Sequence, residues 1–354
     1  MTDLLTKFAY QALQQGKSVF SVTHKAVNTR LLNLVAPPTA PANNTTTPIS
    51  PTTLLEIQQR LSQLQDEDWA DAERGTYPSD LLFDEPWQDF LKFYPALWLD
   101  MPGTWQRIQD NQYQEFSPNI ETEGYPQYYL RNFHYQTDGY LSDQSANLYD
   151  LQVELLFNGA ANAMRRRVLA PLKQGLGRFA LPERDLKLLD VACGTGNTLK
   201  LLRGTFPQAS LYGVDLSSAY LRKANERLCQ RPGELPQLAQ ANGEALPYQD
   251  GYFHGITCVF LFHELPGPVR QTVINESFRV LKSGGTYGIC DSIQAEENPE
   301  LKSVMENFSI AFHEPFYRNY IEDDLEERLT RAGFEDIHVS QHFMSKYWSA
   351  RKPV

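Results

Sequence analysis

Apolar residues recur along this chain with two periods, and the change from one to the other divides it. From Leu4 to about Asp110 the spacing is helical. Leu4, Leu5, Phe8, Ala12 and Leu13 open a first stripe, which Val27, Leu31, Leu34 and Val35 continue, with Gly16 expected to break it into two helices. Leu54, Leu55, Ile57, Leu61 and Leu64 form a second stripe, and Trp87, Phe90, Leu91, Tyr94, Leu97 and Trp98 a third. Ala36 to Thr53, rich in Pro, Thr and Asn and without apolar periodicity, reads as a linker or loop. The first stripe suits a helix docked on its own domain, and a helix lying on a membrane surface is the alternative. Gln112 to Tyr149 is dense in aromatic residues and reads as a hydrophobic seam between two domains, a minority of its rings being free to line an acceptor pocket.

Beyond Lys187 the pattern alternates between short apolar runs and helical spacing, which predicts a mostly parallel sheet. Predicted strands are Lys187–Val191, Leu211–Asp215, Gln237–Ala241, Phe253–Phe260 and Thr286–Asp291. Helices are predicted at Thr198–Arg203, Ser217–Cys229, Val269–Val280, Leu301–Phe312 and Ile321–Ala332. Ile337–Gln341 and Phe343–Ser349 lie too close together for a crossover and demand an antiparallel hairpin. The expected fold is α/β, a doubly wound, mostly parallel seven-stranded sheet. A mainly helical cap (residues 1–148) would precede a catalytic domain (149–354).

The candidate chemistry begins at Leu188-Leu189-Asp190-Val191-Ala192-Cys193-Gly194-Thr195-Gly196-Asn197, a strand, a glycine turn and a helix start. Gly194 and Gly196 permit positive φ and leave no Cβ in the way of a ligand at the helix N-terminus. Turns of this kind also occur in proteins that bind nothing, so the next strand matters. It ends in Asp215, placed to accept hydrogen bonds from a ribose diol. The third glycine of a pyrophosphate fingerprint is missing, and Asp190 would repel a pyrophosphate while suiting a cationic amino group. These features favour S-adenosylmethionine over NAD.

With these residues the chain resembles the class I S-adenosylmethionine-dependent methyltransferases, most closely those of the ubiquinone/menaquinone-biosynthesis type, from Tyr149 to about Lys352. Leu189 to Gly196 is similar to the family's first motif, with Ala192 where many members have glycine. Gly213-Val214-Asp215-Leu216-Ser217 resembles its ribose strand. Asn242-Gly243-Glu244-Ala245-Leu246-Pro247-Tyr248 resembles its Asp-Ala-Glu-x-Leu-Pro-Phe segment, and Arg279-Val280-Leu281-Lys282-Ser283-Gly284-Gly285 its Arg-Val-Leu-Lys-Pro-Gly-Gly turn.

The resemblance implies an Asp190 and Gly194–Gly196 site for the methionine part, including Ala192 and Thr195. It also implies Asp215 and Leu216 at the ribose, Asn242 and Gly243 at the adenine, and Phe260 at the end of the fourth strand. Asn242 replaces the usual Asp, keeping a carbonyl acceptor without the charge. Leu148-Tyr149-Asp150 resembles the pair that opens the family's catalytic domain, which implies a lid over the cofactor from Tyr149, with His134 or Tyr140. A seam histidine held by hydrogen bonds is the plain alternative for His134. Asp215 as a helix cap and Asn242 as a turn residue are the corresponding alternatives.

Sulfonium is a strong leaving group, so the protein's task is to orient the acceptor and remove its proton where that is a hydroxyl. His263 follows the fourth strand and is the first candidate base, expected neutral near pH 7. Asp291 and His313 are the other candidates, and a structural histidine is the alternative.

Composition narrows the partners. The 354 residues suggest about two domains, and 32 basic against 43 acidic residues give a net charge of −11, which argues against a nucleic-acid partner. Arg165-Arg166-Arg167 is the one tight basic run, expected on a solvated helix face or at a helix C-terminus. Cys193, Cys229, Cys258 and Cys290 read as buried reduced thiols of a cytoplasmic protein, and no cluster has metal-ligand spacing. No run approaches a membrane span, and Met1-Thr2-Asp3 does not open a signal peptide. The expected function is methyl transfer from S-adenosylmethionine to a small aromatic or isoprenoid-derived acceptor. A protein methyltransferase and a cofactor-binding protein without turnover are the alternatives.

Overall fold

The computed structural model describes residues 4–35, 49–85 and 87–354, with the side chains of 33–35, 87 and 88 left undescribed. Three long helices come first: α1 (Leu4–Val35), α2 (Pro51–Glu73) and α3 (Trp87–Asp110). Gly16 does not divide α1. A glycine in a helix interior costs only about 1 kcal/mol relative to alanine, and the side chains docking the helix on both sides of it hold it straight.

Those docking side chains are Tyr10, Gln14, Lys17, Ser21 and His24, all buried and spaced by four and three residues. The buried stripe of α1 is therefore polar, and Leu4, Leu5, Phe8, Val19, Val22 and Val27 face outward. Tyr10 donates to Asp68 (2.7 Å), Lys17 pairs with Glu85 (2.8 Å) and His24 meets the Tyr94 hydroxyl (3.2 Å). Most of the Pro/Thr/Asn stretch lies outside the described residues. Its end is not linker but a helix start: the Ser50 hydroxyl accepts from the Thr53 amide, and Pro51 takes the first helical position.

The arginine run is not solvated. Arg166 is fully buried and forks onto Asp68 (2.8 and 2.7 Å), while Arg167 pairs with Asp71, so the run ties α5 (Ala161–Arg166) to α2. A guanidinium placed between helices gains from a bidentate carboxylate what it loses in hydration. Between α3 and α5 the aromatic stretch runs mostly irregularly to α4 (Asp143–Leu156).

Next come α6 (Leu169–Leu176) and the sheet: β1 (Lys187–Val191), β2 (Ser210–Asp215), β3 (Gln237–Gln240), β4 (Phe253–Val259), β5 (Leu281–Ser292), β6 (Glu335–His342) and β7 (Ser345–Arg351). The order is β3-β2-β1-β4-β5-β7-β6, with β7 antiparallel to both neighbours. β1 and β4 are buried on both faces, as strands of a parallel sheet covered by helices must be. Leu189, Val191, Ile256, Cys258, Ile289 and Trp348 form the centre of the main core.

The helices α7 (Asn197–Thr205), α8 (Ser218–Leu228), α9 (Gly267–Val280), α10 (Lys302–Ala311), α11 (Tyr317–Tyr320) and α12 (Leu325–Ala332) follow in turn. The predicted last helix, Ile321–Ala332, begins only at Leu325, because Asp324 caps its start by accepting from the Glu327 amide, and α11 lies wholly before it. Of the four cysteines, Cys229 is exposed and the other three are buried as free thiols. Among the described residues no helix is long and apolar enough to cross a membrane. The strand order reverses between β1 and β4, which leaves a crevice at their carboxyl ends.

Candidate cofactor and acceptor site

Backbone geometry builds the crevice. Chain leaving β1 turns through Ala192 (φ 55°), Gly194 (φ 53°) and Gly196 (φ 81°) before entering α7. At Gly196 a Cβ would come within 3.1 Å of the Ala224 Cβ, so α8 packs directly on the turn. From below, buried Asp150 accepts hydrogen bonds from Thr195 Oγ1 (2.8 Å) and Asn197 Nδ2 (2.6 Å) and pairs with Arg227. Burial pushes the Asp150 carboxyl up, but Arg227 and Arg165 outweigh it and hold it below its ordinary value. The turn is therefore set by an ion pair in α4 and α8 as well as by its glycines.

A cavity of about 100 Å³ lies against this turn. Ala192, Gly194, Asp215, Leu216, Asn242, Gly243, Phe260 and Tyr149 line it. Four residues expected beside them lie elsewhere. Asp190 sits beneath the turn, bound by Thr257 Oγ1 (2.6 Å), and burial raises its pKa to about 7. Thr195 turns inward to Asp150, Gly196 supports α8, and His134 belongs to a neighbouring cavity. Asp215 accepts from the amides of Gly194 and Ser217 (both 2.8 Å), while burial lifts its pKa to about 6. Asn242 closes a turn by accepting from the Glu244 amide (2.9 Å).

The cover of this cavity is aromatic. Tyr128, Tyr129, Phe133, Tyr140 and Tyr149 line it with Tyr220 of α8, so five rings of the stretch read as a seam face the crevice instead. Their signal in the sequence was density immediately ahead of Tyr149. Nothing in their spacing showed which rings face inward. At about 100 Å³ the cavity is well below the few hundred Å³ of ordinary ligand sites.

The neighbouring cavity holds about 460 Å³ and shares Tyr149, Phe260 and Glu264 with the first. Phe260, at the end of β4, has φ 58°, a left-handed conformation costly for a bulky residue. Most of the remaining wall is apolar: Ile57 and Leu54 from α2, Val153 and Leu156 from α4, Met305 and Phe308 from α10. Its polar end holds His134, His263, Glu264, Ser292 and Tyr317.

At that end His263 Nδ1 lies 2.6 Å from Asp291 Oδ1, and the other Asp291 oxygen accepts from the Leu261 and Phe262 amides (3.0 and 2.7 Å). Burial would lower the His263 pKa, but Asp291, then Glu264 and Glu314, raise it to about 9. The neutral imidazole expected at pH 7 is thus an imidazolium. Asp291 is fully buried behind it and lines neither cavity. His313 also lines neither, stacking on Tyr113 with ring centres 4.2 Å apart and held near a pKa of about 4 by burial.

His134, Glu264 and Glu314 bring ligand-type atoms within 4.8 Å of one another, a convergence of three distant segments that sequence spacing did not reveal. Burial works against a charge on His134, but Glu314 at 2.9 Å and Glu264 at 3.8 Å raise its pKa to about 10. The imidazolium itself supplies the positive charge between these carboxylates. Glu264 also accepts from Tyr140 (2.5 Å), linking the cluster to the aromatic cover.

A doubly wound sheet, a glycine turn at its switch point and an acid at the tip of β2 define a nucleoside-binding α/β protein. Comparison with known proteins sharpens that class. Residues 188–285 match the family model described as "Methyltransferase domain". A demethylmenaquinone methyltransferase of Anoxybacillus flavithermus is 33% identical over 182 residues, covering 45% of this chain and 74% of that protein. One from Lactobacillus johnsonii is 29% identical over 206 residues, covering 58% and 75%. Among solved structures, an S-adenosylmethionine-dependent methyltransferase of Methanosarcina mazei covers 51% of this chain and 97% of its own, at 21% identity and a TM-score of 0.39.

The chain belongs to the class I S-adenosylmethionine-dependent methyltransferases, on the side of the ubiquinone/menaquinone-biosynthesis type. It is an enzyme of methyl transfer and its cofactor is S-adenosylmethionine. The first cavity fits that molecule chemically. Asp215 and the unshielded backbone of Gly194 face the space, and the acids around it, Asp215 and Glu264, favour a cationic ligand.

Proposed function

We propose that the acceptor is a small aromatic ring carrying an apolar, isoprenoid-like tail, methylated at the junction of the two cavities. The observation that carries this reading is the shared wall of Tyr149, Phe260 and Glu264, with an apolar chamber of about 460 Å³ on one side of it. A tail would lie along Ile57, Leu156, Met305 and Phe308. A polar ring would meet His263, Glu264 and Tyr317. A largely apolar chamber of this size suits such a molecule better than a protein side chain. The relatives named as demethylmenaquinone methyltransferases support the same reading.

S-adenosylmethionine supplies an activated methyl group on sulfonium. The chain's own residues do the rest in this reading. Asp215 and the Gly194 backbone bind and orient the cofactor, and the tyrosine cover excludes water. Asp291 fixes the His263 ring, whose imidazolium donates to the ring oxygen of an acceptor bound as its anion, its hydroxyl proton having passed to solvent, and so favours the ionised form in which the ring is nucleophilic. His134 is a counter-ion for Glu264 and Glu314.

The test is labelled methyl transfer to a short-chain aromatic quinol, with products identified by a gain of one methylene unit in mass. His263→Gln is expected to slow that transfer roughly 10²–10⁴-fold with S-adenosylhomocysteine affinity unchanged. Wild-type transfer should fall as pH rises through about 9. The sign for stability agrees: a raised histidine pKa stabilises the fold below the unfolded value, and that contribution is lost as pH climbs to about 9. Label found only in protein would overturn the reading.

A further inference from the structure

Helix α1 is inverted. Its inward stripe is polar, with Tyr10, Lys17, Ser21 and His24 hydrogen-bonded, while its outward face carries Leu5 (76% exposed), Phe8 (59%), Val19 (60%) and Val22 (53%). Across its 32 residues α1 contains no acid, in a chain with 43 of them, and its cations include Lys7 and the exposed Arg30. A surface helix turned toward water would be expected to reverse this arrangement. Exposed apolar area of this extent marks an interaction surface.

The face is continuous with the rim of the larger cavity. Val22, Ile49 and Leu54 line that cavity and are themselves 53%, 37% and 48% exposed, so they form its mouth. Leu55 beside them is also exposed. An apolar helix face therefore leads directly into an apolar chamber.

We propose that this face, α1 with Ile49, Leu54 and Leu55, seats on the surface of an anionic lipid bilayer, so that the mouth of the acceptor cavity opens onto the acyl layer. Three observations select a bilayer over a second copy of the chain. The outward face is free of acids, which an anionic surface would repel. Arg30 stands exposed near its C-terminal end, where lipid headgroups would lie, while Lys7 packs over Trp69 on the docked side. A second copy seated on the same face would cover the mouth formed by Val22, Ile49 and Leu54. Binding here is a property of the surface and stands apart from the identity of the acceptor.

The experiment is co-sedimentation of the full chain with phosphatidylcholine vesicles containing phosphatidylglycerol. The triple variant Leu5→Gln, Phe8→Gln, Val19→Gln changes three residues that line neither cavity and leaves the charge as it is. The wild type is expected to pellet with the vesicles. The variant's partition should fall roughly tenfold or more, since each change replaces buried hydrocarbon with an amide. Its S-adenosylhomocysteine affinity should be unchanged, which shows that it is folded. A wild type that stays in the supernatant overturns the proposal, as does a variant that pellets equally well. Wild-type dimers that the variant converts to monomers also overturn it, assigning the face to a second copy.

Discussion

The two cavities share a wall yet are assembled in opposite ways. The cofactor cavity is built mainly from the carboxyl ends of β1, β2 and β4 and the turns that follow them, and its polar groups are set by backbone hydrogen bonds. Asp215, for example, is held by the amides of Gly194 and Ser217. The larger cavity, where we propose that the acceptor lies, draws its wall from α1, α2, α4, α10 and the turn between β6 and β7, segments as far apart as Val22 and Met344. What positions α2 there is a buried ion pair rather than apolar packing alone. One cavity is thus built largely on the strand ends and the turns next to them, while the other is assembled from segments distant in sequence.

The strongest way to break this contrast is at the ion pair. Asp68→Ala leaves the Arg166 guanidinium buried without its carboxylate and should cost about 3–5 kcal/mol in denaturant unfolding. Because α2 carries Leu54 and Ile57, loss of acceptor binding should exceed any loss of cofactor binding in the folded variant. Equal losses on both sides would mean that the two cavities are one mechanical unit.

A smaller effect is expected on the cofactor side. Asp215→Ala removes the carboxylate facing the cavity, and calorimetry should show S-adenosylhomocysteine binding weakened by about 1.5–3 kcal/mol. Unchanged affinity in a folded variant would take Asp215 out of the binding site. The smallest effect concerns Ala192, whose φ of 55° places an L-residue in the left-handed region. Ala192→Gly relieves that strain and should leave the protein up to about 1 kcal/mol more stable in thermal unfolding. Destabilisation would show that the alanine methyl packs usefully against the turn.

The contrast also explains which features could be read from the chain alone. β1 was legible to the residue, and the terminal hairpin followed from the short gap between its strands, because local periodicity and connection length decide both. Asp215, Gly194 and Asn242 were legible through residue order at strand ends. The acceptor chamber was not, since no local pattern reports that Ile57 meets Phe308 or that Tyr128 turns toward the cofactor.

Arg165 to Arg167 stand at the C-terminus of α5, one of the two placements expected, and only the solvated face misled, for a related reason. A run of charge is normally solvated, and only the tertiary arrangement brings Asp68 and Asp71 to meet it. In α1 the apolar positions were found correctly and their direction was not, because the docking stripe of Tyr10, Gln14, Lys17, Ser21 and His24 is polar. His263 was located correctly, but its charge depends on Asp291, whose contact with it is set by the register of β4 on β5.

Tyr149, Phe260 and Glu264 face both cavities, so a ligand in one touches side chains that also wall the other. Any coupling carried by that wall must be reciprocal: whatever factor the proposed acceptor applies to cofactor affinity, the cofactor returns to acceptor affinity. A wall of three side chains would thus let the enzyme sense whether its methyl donor is spent before it releases what it has made.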